Sequence, residues 1–196
     1  MSGFNPLVQG WDTQSAYPTS LFGALPASNA PRPTTTIRDA MTYHITDFRS
    51  TILNSTVVNP QGQAQLRVIT EARPGRPTIW TDSSRRTVAF VDWGHQPSIE
   101  IPGLLPRTPV RDWLRTSTDR KSRFMVLRGV NYFWAPDGPS ICLWMPQGTG
   151  GAQLLARVGR IQSGAALEMT RMALQYGLLE ACVVASTLFL SGVPLD

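Results

Sequence analysis

The sequence predicts a mainly β domain, namely an antiparallel barrel or sandwich of about ten short strands, with a buried hydrophobic helix near its C-terminal end. Two features predict it. From residue 36 onwards, short apolar runs recur at near-regular spacing and are separated by Gly and Pro turns. Residues 171–190 are apolar nearly all round, which is typical of a helix buried on every side. The 196 residues, of which 42% are hydrophobic, suffice for one such core.

The beginning of the chain lacks this pattern. Residues 1–37 contain five prolines, only two charged residues and no apolar periodicity of a strand or a helix. We therefore expect an N-terminal arm, residues 1–37, that is disordered or loosely docked. Residues 38–196 are then expected to form a single folded domain.

The predicted strands follow in chain order. In the first, Tyr43 and Ile45 alternate with His44, so we expect His44 on the opposite face of the sheet. The loop at 147–151 is rich in Gly but has neither the Lys nor the following helix of a phosphate-binding loop, so it predicts a hairpin. The predicted strands span residues 41–46, 51–58, 64–70, 78–81, 87–93, 98–101, 123–127, 131–134, 141–145, 154–158 and 165–170.

Two segments interrupt the strand pattern. Residues 108–115 predict a short surface helix, with Thr108 as its N-cap and Pro109 at its first position. Residues 171–190 predict the buried helix, because the uncharged run after Glu180 is about half the roughly 20 residues that a membrane span needs. Five tryptophans in or beside these elements are expected to fill the core rather than to stack on nucleic-acid bases: Trp80, Trp93, Trp113, Trp134 and Trp144.

Several segments carry a resemblance to a known family, among them 48–52 (FRSTI), 87–93 (TVAFVDW), 110–114, 123–124 with 132–134, 154–158 (LLARV) and the apolar run 178–192. Residues 42–193 resemble a basidiomycete-type fungal domain of unknown function in the tubby C-terminal-like superfamily, to which phospholipid scramblases and LURP-one-related proteins belong. The resemblance implies that residues 38–196 form a closed antiparallel β-barrel of about ten to twelve strands around the buried C-terminal hydrophobic helix, and it favours phosphoinositide binding. It implies no catalytic residues. Related domains often carry Asp before the terminal run, where this chain has Glu180.

The composition excludes several classes of protein. Two cysteines, Cys142 and Cys182, are too few for a disulfide-rich scaffold or a four-cysteine zinc site, and both are expected to be inert apolar side chains. No signal peptide and no transmembrane segment are visible, so the expected location is the cytoplasm, with peripheral attachment to membranes as a further possibility. We expect no metal and no cofactor.

One basic segment is the feature of the sequence that favours a particular function. Residues 107–128 contain seven cations against two carboxylates, which equals the entire net charge of +5. Cations near an anionic membrane contribute ~1 kcal/mol each, so lipid headgroups are one candidate partner. A protein partner and a merely solvated surface stay open, and nucleic acid is the less favoured alternative. The cations are Arg107, Arg111, Arg115, Arg120, Lys121, Arg123 and Arg128.

An enzyme is the alternative reading. His95 follows a Trp-Gly turn and Asp92 precedes it by three positions, so the two residues are candidates for an acid–base pair. Such a protein would be a small cofactor-independent enzyme acting on a hydrophobic metabolite in a pocket at the end of the barrel. No residue pattern identifies a nucleophile. The favoured prediction is therefore a non-enzymatic binding module that acts through the basic segment.

Overall fold

The structure is a computed structural model that describes Ile37 and residues 39–46, 51–71, 77–148 and 150–195. All structural statements concern these residues. The predicted N-terminal arm, except for Ile37, lies outside them, so its expected disorder stays a prediction.

Thirteen strands of the described part form one antiparallel sheet. The strands are β1 Met41–Thr46, β2 Ser55–Val58, β3 Ala64–Thr70, β4 Thr78–Asp82, β5 Thr87–Asp92, β6 Ser98–Ile101, β7 Leu105–Pro109, β8 Arg115–Thr116, β9 Arg123–Leu127, β10 Val130–Asp137, β11 Ser140–Gln147, β12 Gly151–Ile161 and β13 Gly164–Met169. The alternation in β1 is as predicted, since Tyr43 and Ile45 are buried while His44 is exposed. β11 and β12 pair antiparallel with Gln147 opposite Gly151, which is the pairing that the predicted hairpin requires.

The strand order is β7-β6-β5-β4-β3-β2-β1-β13-β12-β11-β10-β9-β8. Neighbours in the sheet are neighbours in the chain, except that β1 pairs with β13 and places Tyr43 opposite Leu167. The two edge strands, β7 and β8, are therefore consecutive in the chain. The predicted mainly β, antiparallel fold is confirmed. The predicted closure is not found in the hydrogen bonds, because the sheet ends at β7 and β8 and has more strands than expected.

The two edge strands were missed by the sequence prediction. β7 contains Pro106 and Pro109, and β8 is only two residues long, so neither shows the alternation of a half-buried strand. Proline is tolerated at the edge of a sheet, where its missing N–H is not needed for pairing. Short, proline-containing edges also resist pairing with other chains.

The short surface helix begins later than predicted. Helix α1 spans Val110–Trp113, and Pro109 precedes it in extended backbone. Thr108 is not its N-cap, because it belongs to β7 and its hydroxyl donates to the Pro106 carbonyl at 2.7 Å. The predicted apolar face is confirmed, since Val110, Trp113 and Leu114 are buried.

The terminal segment forms two helices rather than one. Helix α2 spans Arg171–Gln175, and helix α3 spans Leu179–Leu190. The break lies at Gly177, whose φ of +68° is disfavoured for other residues. The Leu178 amide donates to the Ala173 carbonyl at 3.1 Å and the Gly177 amide to the Leu174 carbonyl at 3.0 Å, which is the hydrogen-bond pattern of a Schellman C-cap.

Helix α3 lies in the hydrophobic core. All of its residues from Ala181 to Leu190 are buried, as the sequence predicts. The helix contacts β5 and β13, and its Phe189 ring meets Trp134 of β10 edge-on, with 5.4 Å between ring centroids. These three strands are far apart in the sheet order, so strands from distant parts of the sheet share one helix. None of the described helices is long and apolar enough to cross a membrane.

The tryptophans divide between the core and the opposite face of the sheet. Trp80, Trp113 and Trp134 are buried in the core, as predicted. Trp93 is partly buried against it and donates from Nε1 to the Thr78 hydroxyl at 2.7 Å. Trp144 is half-buried and lies outside this core cluster. The core prediction therefore holds for four of the five tryptophans.

Candidate functional site

The antiparallel order groups the loops at two ends of the sheet. The turns at 83–86, 102–104 and 128–129 lie at one end with the start of α3, and a single cavity is lined by residues of all four. We call this the entry end. The loops at 93–97 and 117–122 lie at the other end of the same strands, which we call the exit end.

Six of the seven cations of the basic segment have exposed side chains, but they do not form a single patch. Five of them lie on β7, α1, β8 and the loop that follows β8, toward the exit end: Arg107, Arg111, Arg115, Arg120 and Lys121. Arg128 follows β9 and lies at the entry end. A strand of this length separates its two ends by ~16 Å. We call the five clustered residues the exit-end cations.

Arg123 is buried, with only 1% of its surface exposed. It occupies the same face of β9 as Met125 and Leu127, because every second residue of a strand points to the same side. Its Nη1 donates to the Leu114 carbonyl at 2.7 Å, which connects β9 to the end of α1. The structure thus places Arg123 in the interior, apart from the surface cations with which the sequence analysis grouped it.

Two of the exit-end cations already have carboxylate partners. Arg107 forms an ion pair with Asp92 at 2.7 Å, and Arg111 lies 3.9 Å from Asp112. Among the described residues, no carboxylate lies within ion-pair distance of Arg115, Arg120 or Lys121. The charges of Arg115 and Arg120 are therefore available to an anionic partner, and the charge of Lys121 is partly offset by its electrostatic interaction with the Asp119 carboxylate.

The candidate acid–base pair shows no hydrogen bond between its members. The Asp92 carboxylate accepts from Arg107 at 2.7 Å and from the Gly94 amide at 3.2 Å. His95 is exposed in the exit-end loop. Three cavities lined by described residues have volumes of about 450, 440 and 200 Å³, and neither Asp92 nor His95 lines any of the three.

Both thiols are buried. Burial raises the pKa of Cys142 to about 11, and the nearby Arg157 guanidinium offsets only part of that shift. Burial also raises the pKa of Cys182, with a smaller contribution from Glu180. Within the described ranges, no group of three or more His, Cys, Asp and Glu residues has the geometry of a metal site. A neutral buried thiol is a poor nucleophile.

We accordingly expect neither thiol of the native protein to react with Ellman's reagent near pH 8, because both stay protonated and shielded there. Both should react within seconds in guanidinium chloride. A thiol that reacts at the same rate in native and denatured protein would contradict the placement of that cysteine.

An apolar patch lies beside the exit-end cations. Phe124 and Val126 are 38% and 51% exposed, on the face of β9 opposite to the core. Phe124 is directly opposite Arg115 on β8 and Phe133 on β10, and Phe133 is in turn opposite Trp144 on β11. We call Phe124, Val126, Phe133 and Trp144 the Phe124 patch. The patch has no signature in the sequence, because apolar residues occur on both faces of β9.

Comparison with known proteins adds no identification. No family model, curated protein or solved structure matches the chain. The resemblance to the fungal domain therefore stays a prediction. The basis for a function is the geometry of the surfaces described above.

Two surfaces of the described residues are able to hold a ligand. One is the Phe124 patch with the unpaired cations next to it. The other is at the entry end, where the two larger cavities share Leu104 and Arg128. The first combines positive charge with exposed apolar side chains on the face of the sheet opposite to the core, and the second is a pair of cavities.

Proposed function

We propose that the sheet curls around α3 as a barrel whose seam lies between β7 and β8. Three observations support this shape. The edge strands are joined by only residues 110–114, so their facing ends lie close together. Helix α3 is buried on all sides from Ala181 to Leu190, and it contacts strands that are distant in the sheet order. In this shape α1 covers the seam.

The proposed function is that of a non-enzymatic module which binds the surface of an anionic lipid bilayer. The observation that carries it is the exposed Phe124 ring directly opposite the exposed Arg115 side chain. Each cation contributes ~1 kcal/mol of attraction to an anionic membrane surface, and apolar side chains such as Phe enter the boundary between headgroups and acyl chains. Phe124 and Val126 would enter that region while Arg115, Arg120 and Lys121 contact headgroups.

The chemistry of the patch favours a bilayer over nucleic acid and over a merely solvated surface. Nucleic-acid phosphates would be met by the cations alone and would leave Val126 exposed to water. A solvated surface would gain nothing from Phe124 and Val126, since apolar side chains next to cations are stabilised only when they leave water. The resemblance to tubby-type domains favours the same partner. For the enzyme alternative, Asp92 is already held by Arg107.

We expect the protein to sediment with phosphatidylcholine vesicles that contain phosphatidylserine or phosphatidylinositol bisphosphate, and not with phosphatidylcholine alone. Changing Arg115, Arg120 and Lys121 together to Gln should weaken this binding about a hundredfold, because three contacts of ~1 kcal/mol each are lost. Binding by the parent should weaken as salt is raised. The matched control is Arg67→Gln, which removes an exposed charge from β3.

A separate variant tests the contribution of the apolar side chains of the Phe124 patch. Phe124→Ala should reduce vesicle binding while Ile69→Ala, at a similarly exposed position of β3, leaves it unchanged. Circular dichroism and thermal melting of each variant show whether the fold is retained. Absence of binding by the parent protein, or full binding by the triple Gln variant, would refute the membrane proposal. Binding to DNA or to a protein without binding to vesicles would do the same.

A further inference from the structure

The entry end contains a largely apolar cavity with one cation at its border. Its volume is about 440 Å³, which falls in the range of roughly 300–1,000 Å³ found for ligand pockets. Val130 and Tyr176 are among its lining residues and are 40% and 43% exposed, so the cavity opens to solvent. Seven of the residues that line it are apolar or aromatic: Leu104, Leu127, Val130, Tyr132, Met145, Tyr176 and Leu178.

We propose that this cavity binds a single-chain amphiphile with a carboxylate head, such as a medium-chain fatty acid. The chain lies among the apolar side chains, and the carboxylate meets Arg128 at the border. This site is separated from the exit-end cations by the length of β9, and it does not depend on the membrane proposal.

Arg128 is positioned to receive an anion. It lines both larger cavities, and no ion pair or hydrogen bond joins it to another described residue. Its Nη1 lies 3.5 Å from the place that a Cβ would occupy at Gly177, so the guanidinium packs over a residue without a side chain. A larger residue at position 177 would compete for this space.

A second polar group points to the same ligand. Tyr132 lines the apolar cavity, and its hydroxyl makes no hydrogen bond to a described residue. Although the residue as a whole is only 4% exposed, the hydroxyl oxygen is accessible from the cavity, so a ligand can reach it. Burial raises the pKa of Tyr132, and Arg128 lowers it by a smaller amount, so the hydroxyl is a protonated donor at neutral pH. A carboxylate near Arg128 would accept a hydrogen bond from it.

The neighbouring cavity favours a monoanion. Its carboxylates are Asp82, which is paired with Arg86 at 2.7 Å, and Glu180, which has no ion pair with a described residue. Glu180 lines the same cavity as Arg128, so its carboxylate opposes the binding of a dianion about twice as strongly as that of a monoanion. A carboxylate with one charge is therefore preferred over a phosphate monoester with nearly two.

The test is isothermal titration calorimetry, in which the full chain is titrated separately with decanoate, decanol and decyl phosphate. We expect saturable binding of decanoate, weaker binding of decyl phosphate, and at least tenfold weaker decanoate binding by Arg128→Gln. Decanol binding should be the same in that variant and in the parent. Arg128→Lys, which keeps the charge, should restore part of the decanoate affinity.

The matched control is Arg85→Gln. Arg85 is also exposed, has a positive φ like Arg128, and lies in the turn between β4 and β5 without lining the apolar cavity. Thermal melting shows whether each variant is folded. Met145→Trp, which fills the cavity, should abolish binding of decanoate and decanol alike. Lack of saturable decanoate binding below its micelle concentration, or equal binding by the parent and a folded Arg128→Gln variant, would overturn the proposal.

Discussion

Replacing Val184 by Asp is expected to abolish cooperative folding. Val184 is fully buried within α3, so its replacement takes a carboxylate out of water into an apolar core. The penalty, several kcal/mol or more, is comparable with the whole stability of ~5–15 kcal/mol of a typical domain. The measurement is the soluble yield, followed by thermal unfolding monitored by circular dichroism.

The matched control for this variant is Val126→Asp. It makes the same chemical change at a position that is 51% exposed on β9, so folding should be retained. A Val184→Asp protein that is soluble and melts cooperatively near the temperature of the parent would contradict the burial of α3.

Replacing Phe189 by Ala is expected to lower the free energy of unfolding by ~3–5 kcal/mol. The ring is fully buried and meets Trp134 edge-on, so the change leaves a cavity and removes an aromatic pair. Urea titration followed by tryptophan fluorescence measures the loss, and the melting temperature should fall by about 10 °C. Phe124→Ala, at an exposed position, should change stability by less than ~1 kcal/mol. Equal losses for the two variants would contradict the placement of Phe189.

The core elements were predictable because local patterns encode them. The alternation of Tyr43, His44 and Ile45 requires only a strand with one buried face. The all-round apolar run from Ala181 requires only a buried helix. The pairing of β1 with β13 is not encoded locally, because it joins residues from the two ends of the sheet-forming sequence. The break at Gly177 was missed although a glycine before a new helix is a C-cap signal.

The candidate sites were harder to predict from the sequence than the core elements. Counting charges located the basic segment, but strand geometry decided that Arg123 faces the core while Phe124 and Val126 face outward. The pattern of β9 is apolar on both faces, so alternation alone does not reveal which face is exposed. The entry-end cavity draws its residues from several segments that only the antiparallel order brings together. No local spacing predicts such a site.

Because α3 follows all thirteen strands in the chain, it also limits how far the protein can fold while it is being synthesised on the ribosome. Hairpins such as β2–β3 can form as soon as they emerge, whereas no strand can pack on α3 before residue 190 has been translated. At ~5–20 residues per second, the time from the end of β7 to the end of α3 is roughly 4–16 s. During this interval the nascent sheet presents apolar side chains without their helix, and so it is a target for chaperones. Pro106 and Pro109 then keep the completed edge strand β7 from joining a neighbouring nascent chain on the same polysome.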